Sequence, residues 1–196
     1  MSKIIYMALS YVEELALRYF EKSGYLVFPN IRFQLKREWT GKKVSGWSDI
    51  DMIALKPDEL VIVQCKSFLG TKKGEDIAND VINWFKYAEL FLRENNKWKV
   101  WLDKRKIRKC LIVDYTVKKV EPILNSSGIE VLYYNRMLTE LLRMLKEGEV
   151  RKGKEDDVII RLLCAMIDKD MLNPKYFKNN GQKPTRSDRK GNRRVH

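Results

Sequence analysis

A chain of 196 residues, 44% hydrophobic and 11% aromatic, is long enough for one well-buried core and short for two, so one domain with appendages is expected. Its formal net charge of +13 sets up a field that attracts polyanions, which makes nucleic acid the first partner to consider. The single histidine is His196, and there is neither a glycine-rich phosphate loop nor a dinucleotide fingerprint; histidine-based catalysis, ATP-driven work and hydride transfer all lose their support.

In chain order, apolar residues recur at helical spacing between Ile5 and Ser23 (Ala8, Val12, Leu15, Ala16, Tyr19) and stop at Gly24, a usual helix end. Tyr25 to Leu35 reads as a strand, and the basic, glycine-containing stretch Lys36 to Gly46 as a loop. Two short strands follow, Trp47 to Leu55 and Leu60 to Ser67, joined by the polar turn Lys56-Pro57-Asp58-Glu59. A long amphipathic helix is predicted over Glu75 to Glu94, with Ile77, Val81, Trp84, Phe85, Ala88 and Phe91 on its buried face. Strands at Lys109 to Asp114 and Glu130 to Tyr134 precede helices at Met137 to Lys146 and Asp156 to Leu172. This order implies an α/β fold in which one central mixed sheet carries helices on both faces.

The last helix is apolar around most of its circumference (Val158, Ile159, Ile160, Leu162, Leu163, Ala165, Met166, Ile167). Its cover is expected to be either the domain's own sheet or a second copy of the chain in a homodimer. From Pro174 onward eight basic residues face one acid, Asp188, so residues 1–173 read as the domain and 174–196 as a basic, disordered tail that either solubilises or grips DNA. Cys65, Cys110 and Cys164 are odd in number and lack paired spacing, which fits a reducing intracellular setting. No apolar run of 18 residues occurs, and nothing marks the chain for export or membrane insertion.

The hairpin carries the chemistry. Side chains alternate along a strand, so Asp49, Asp51 and Ile53 are expected on one face, and Gln64 and Lys66 share a face of the partner strand. If the turn pairs Leu55 with Leu60, Asp51 lies across from Gln64 and Asp49 across from Lys66, with Cβ atoms roughly 5 Å apart. Such groups on an otherwise apolar hairpin need a reason, because burying them costs several kcal/mol unless they pair or bind a metal. A structural salt bridge from Asp49 to Lys66 is one reason. The other is phosphodiester hydrolysis, where the Asp51 carboxylate, the Gln64 amide oxygen and the main-chain carbonyl of Cys65 are oxygen ligands for Mg²⁺ or Mn²⁺ and Lys66 orients the attacking water. The Cys65 thiol faces the core and takes no part. On the first helix, Glu13 lies about 100° from the centre of the buried face, within reach of a site at the sheet's edge, while Glu14, at about 200°, faces solvent.

Asp51 followed thirteen positions later by Gln64-Cys65-Lys66 resembles the PD-(D/E)XK nuclease superfamily, in its restriction-endonuclease-like and Holliday-junction-resolvase-like branches. The stretch Glu13-Glu14-Leu15-Ala16-Leu17-Arg18-Tyr19-Phe20 through Gly24-Tyr25 is similar to the first helix of such proteins. The resemblance spans roughly residues 10 to 115. It implies a sheet flanked by helices, dependence on Mg²⁺ or Mn²⁺, DNA as substrate, branched or structured DNA included, and Glu13 as a further metal-site residue. The family's third motif usually has Asp or Glu where this chain has Gln64, and an uncharged ligand holds a metal less tightly. Basic residues flank the motif at Lys36, Arg37, Lys42 and Lys43 before it and Lys72 and Lys73 after it, where they would track phosphates without reading sequence. Trp39 and Trp47 could stack on bases or anchor a loop. The leading expectation is a metal-dependent DNA endonuclease. The alternatives are a nucleic-acid-binding module with a nuclease fold but no turnover, and a subunit docking through the last helix.

Overall fold

A computed structural model of the chain describes residues 10–66, 74–114, 116, 119–147 and 157–168. Lys72, Lys73 and the 174–196 tail lie outside these residues.

Helix α1 (Tyr11–Lys22) starts at Ser10, whose hydroxyl accepts the Glu13 N–H while the Glu13 carboxylate turns back to the Ser10 N–H, a reciprocal capping box. It ends where Gly24 adopts φ +83°, so that Tyr25 N–H reaches the Phe20 carbonyl and Gly24 N–H the Glu21 carbonyl. A methyl group at Gly24 would meet only Lys56 Cε at 3.9 Å, so Gly24→Ala is opposed by the backbone conformation rather than by crowding. The expected loss is about 1 kcal/mol, read as a lower urea midpoint at unchanged m-value.

Strand β1 (Leu26–Leu35) is followed by a short helix α2 (Arg37–Thr40), in a stretch whose composition predicts a loop. Strands β2 (Gly46–Leu55) and β3 (Glu59–Lys66) form the expected hairpin, with Leu55 opposite Leu60 and Met52 opposite Val63. Helix α3 (Gly74–Glu94) buries Ile77, Ala78, Val81, Phe85, Ala88 and Leu92, with Trp84 and Phe91 partly buried beside them. Then come α4 (Asn96–Leu102), β4 (Lys106–Val113), α5 (Val120–Ser126), β5 (Ile129–Tyr133), α6 (Tyr134–Glu147) and α7 (Val158–Asp168). The sequence reading contains neither α4 nor α5.

The five strands lie in the order β1-β2-β3-β4-β5, the first three antiparallel and the last three parallel. Helices α3, α4 and α5 cover one face, over a core of Phe33, Ile50, Ile53, Leu60, Ile62, Phe85 and Leu111. On the other face, α1 and α6 cover a core that includes Phe20, Met52, Val63, Cys65 and Ile112. This is the expected α/β architecture. Helix α7 packs Ile160 and Leu163 against α6 and leaves Val158 and Leu162 exposed. Glu14, expected to face solvent, instead pairs with Arg18 at 2.7 Å, and Arg18 also holds Asp157 at the start of α7. Among the described residues, no helix is long and apolar enough to cross a membrane.

Candidate active site

The β2–β3 ladder stops at Met52 and Val63, although β2 continues along β1 to Gly46 and β3 along β4 to Lys66. The two central strands therefore part at Asp51 and Gln64. The Lys56 N–H to Glu59 carbonyl bond at the turn sets which positions carry the ladder's hydrogen bonds, and by that count the next rung would join Cys65 to Ile50. Instead, Asp51 Oδ2 accepts the Cys65 N–H at 2.5 Å, so a carboxylate stands at the fork where a peptide carbonyl would otherwise stand.

A second distortion lies on the other side of β2. Asn30 and Asp51 both drop out of the β1–β2 ladder, and Asn30 takes φ +54°. Below this break, Phe28 and Ile53 face the α3 core; above it, Ile31 and Ile50 do. Strict alternation would have placed Ile50 and Ile53 on opposite faces, so the expectation that Asp49, Asp51 and Ile53 share a face is corrected here. Asp49 is exposed, lies across from Arg32 on its β1 side, and falls beyond the end of the β2–β3 ladder, so it is not paired across from Lys66.

Among the described residues, the two polar side chains that are buried are Asp51 and Gln64, each 5% exposed. Desolvation pushes the Asp51 carboxyl up to about 7, against the pull of the Cys65 N–H; Glu13 and Asp49 raise it further and the Lys66 ammonium lowers it. Glu13, Asp49 and Lys66 are among the groups that the sequence reading proposed for the site. Gln64 Oε1 is buried without a hydrogen-bond partner among the described residues, a state that costs about 1–3 kcal/mol. Burial, with the nearby Asp51 and Glu13, keeps the Cys65 thiol protonated. Lys66 is exposed at the end of β3.

Glu13 is half-buried at the start of α1, its carboxylate occupied by the Ser10 hydroxyl at 2.8 Å. Among the described residues, no group of three or more His, Cys, Asp or Glu side chains converges as a ligand set. The oxygen donors that the two strands carry at the fork are of mixed type: the Asp51 carboxylate, which is bonded to the Cys65 N–H, the Gln64 amide oxygen and the main chain of Cys65. Within a strand, a residue's N–H and C=O project to the same edge, so the Cys65 carbonyl opens onto the fork as its N–H does. All three are hard oxygen donors suited to Mg²⁺ or Mn²⁺, and a buried amide oxygen without a hydrogen-bond partner among the described residues has lone pairs to offer a cation.

The flanking cations are less uniform. Lys36 pairs with Glu94 at 2.5 Å and lies over the Trp39 ring, and Trp39 packs against the core. Arg37, Lys42 and Lys43 are exposed between β1 and β2.

A family model described as the nuclease-related domain (NERD) matches residues 8–126. The chain belongs to the nuclease-related domain family. That family lies within the restriction-endonuclease-like PD-(D/E)XK superfamily, and the stretch matched holds Glu13, Asp51, Gln64 and Lys66. No curated protein matches this nuclease-related domain. Among solved structures, the protein of unknown function AF1548 aligns with a TM-score of 0.46 at 13% identity, over 84% of this chain and 90% of that one.

Sequence reasoning missed the Asn30 break, whose signal was Pro29-Asn30 inside an apolar strand: a residue without an N–H, then one that tolerates positive φ. It also missed the bond from Trp84 Nε1 to Ser48 Oγ at 3.0 Å, which ties α3 to β2 behind the fork.

Proposed function

We propose that this nuclease-related domain is a metal-dependent endonuclease that hydrolyses phosphodiester bonds in DNA, branched or structured DNA included. The observation that carries the reading is the fork itself: where the two central strands part, β2 holds a buried carboxyl with a raised pKa and β3 a buried amide oxygen without a hydrogen-bond partner among the described residues. Asp51, Gln64 Oε1 and the Cys65 carbonyl would hold Mg²⁺ or Mn²⁺, and Glu13 would join them by giving up its bonds to Ser10. When bound, the ion neutralises phosphate charge and makes a coordinated water more acidic. Lys66, exposed at the mouth of the fork, stabilises the charge that develops on the phosphate and orients the attacking water. The Cys65 N–H holds the Asp51 carboxylate in one orientation, so this ligand needs little rearrangement. Arg37, Lys42 and Lys43 contact the DNA backbone, and their contribution to affinity falls as salt rises.

The test is incubation of the full chain with supercoiled plasmid, linear duplex and a four-way junction, each with Mg²⁺, Mn²⁺ or EDTA, beside Lys66→Ala. Cutting is expected with either metal and not with EDTA, slowed about 10²- to 10³-fold in the variant. A second reading is favoured by Gln64, an uncharged group where the superfamily usually has an acid: a DNA-binding module without turnover. Its signature would be DNA that is shifted but uncut under every condition, with no heat of Mg²⁺ or Mn²⁺ binding by calorimetry.

A further inference from the structure

Past the Asn30–Asp51 break, strands β1 and β2 run on as a two-stranded ribbon. One side of it, with Ile31, Phe33, Leu35 and Ile50, packs onto the core beneath α3. The other side presents Arg32, Gln34, Trp47 and Asp49, all exposed. The α1-side core reaches β2 at Met52 and Ala54 and does not extend to this row.

Trp47 is 63% exposed and joins none of the three apolar clusters, whereas Trp39, Trp84 and Trp98 all pack against the core. An indole so placed leaves a large apolar surface in water without helping to bury the core. The Arg32 guanidinium lies 4.8 Å from the ring centroid, diagonally across the ribbon, with Gln34 directly opposite Trp47 and Asp49 opposite Arg32. An arginine packed on one side of the ring steadies the indole and adds positive charge beside it. Trp47 is four strand residues from Asp51, roughly 13 Å at the usual rise, or a few nucleotides. On its other side, towards the tip of the ribbon, lie the exposed cations Lys42, Lys43 and Arg37.

We propose that Trp47 and Arg32 form a platform on which an unpaired base stacks, so that the substrate taken at the Asp51 fork carries a single-stranded segment; this rests on the nuclease reading above. In a duplex, each base already stacks on its neighbours, and an exposed indole gains little by approaching it. In a single strand, the base faces are free, and aromatic stacking is strong and indifferent to sequence. Positive charge at the ribbon tip holds the phosphates that flank the stacked base, and the open row leads the strand towards Asp51.

The test measures binding by the full chain in EDTA, using fluorescence anisotropy of labelled oligo-dT, oligo-rU and a blunt duplex of equal length. Trp47→Ala is expected to weaken single-strand binding about tenfold and duplex binding less than about twofold, with Trp47→Phe close to the parent. The dT and rU arms tell DNA from RNA as the source of the base. Unchanged single-strand affinity, or equal loss on duplex and single strand, overturns the platform. So does a dimer of the chain that Trp47→Ala dissolves, since a second copy would then be the occupant. Binding in EDTA needs no turnover, so selective single-strand loss in a chain that cuts nothing would sink the nuclease reading alone. Metal-dependent cutting with single-strand binding indifferent to Trp47 would sink the platform alone.

Discussion

Asp51→Ala is expected to lower metal-dependent cleavage about 10³-fold or more while leaving DNA affinity in EDTA within about twofold. The carboxylate is the single acid among the described residues that is buried, and it stands where the two central strands part. Without it, the side-chain donors left for the ion are the neutral Gln64 amide and Glu13, whose carboxylate is engaged by Ser10, too weak a set to hold a divalent cation at ordinary concentrations. DNA affinity survives because the exposed cations lie elsewhere, on the ribbon and its tip. Asp51→Asn serves as a milder companion: its amide oxygen can still accept the Cys65 N–H, so the loss of activity there reports the charge rather than the hydrogen bond. Gel-resolved plasmid cutting and anisotropy on the same preparations check both halves. Full activity in Asp51→Ala would mean the chemistry is elsewhere.

Much of the fold could be read because local signals and burial agreed. Pro57 in a four-residue polar turn placed Leu55 opposite Leu60, and the ladder follows that register as far as it runs. The α3 face was legible because six apolar residues recur at helical spacing over 21 residues. The short elements were not. Helix α4, with sequence NKWKVWL, interleaves lysine with bulky apolar residues and has no clear face; its signal was the Asn95 side chain accepting the Lys97 N–H. Helix α5 contains Pro122, which reads as a breaker but sits in the first turn, where its missing N–H costs nothing. Strand β4 begins three residues early, at Lys106, because Arg108, polar enough to suggest a loop, is matched by Glu59 and Glu130 on neighbouring strands.

The candidate site was legible in composition and less so in geometry. Asp51 and Gln64 stood out as polar residues in apolar strands, and burial is what marks them in the structure. Alternation could not foresee the break at Asn30, which swings Trp47 and Asp49 onto the open side of the ribbon, nor the end of the β2–β3 ladder before Asp49 and Lys66. For Glu13, the sequence reading let the apolar repeat run from near Ile5 and did not use the capping signal. Ser10-Tyr11-Val12-Glu13 is itself an S-x-x-E capping signature, and it sets the helix start and the resting position of the Glu13 carboxylate together.

The second large effect concerns stability. Burial lifts the Asp51 carboxyl to about 7, well above the roughly 3.9 of an unfolded chain. The folded state thus keeps its proton over a pH range in which the unfolded state has lost it. This contribution to stability is fully present below about pH 4 and is lost as pH rises through about 7, by as much as about 4 kcal/mol. Asp51→Asn, neutral at every pH, should match the parent at pH 4 and be more stable than it at pH 8 by several degrees in Tm, both measured in EDTA. Groups such as Glu89, whose carboxyl is lowered by Lys109 and Arg93 despite its desolvation, pull the other way but cancel in the difference between the two proteins. Equal differences at the two pH values would show that the fork does not hold a strained charge. Mg²⁺ or Mn²⁺ favours the charged form, so at pH 8 it should raise the parent's Tm and leave Asp51→Asn where it was. A substitution that stabilises the metal-free fold and abolishes cutting would mean that the carboxylate is kept at the fork at the expense of stability, for a cation that restores what its burial takes away.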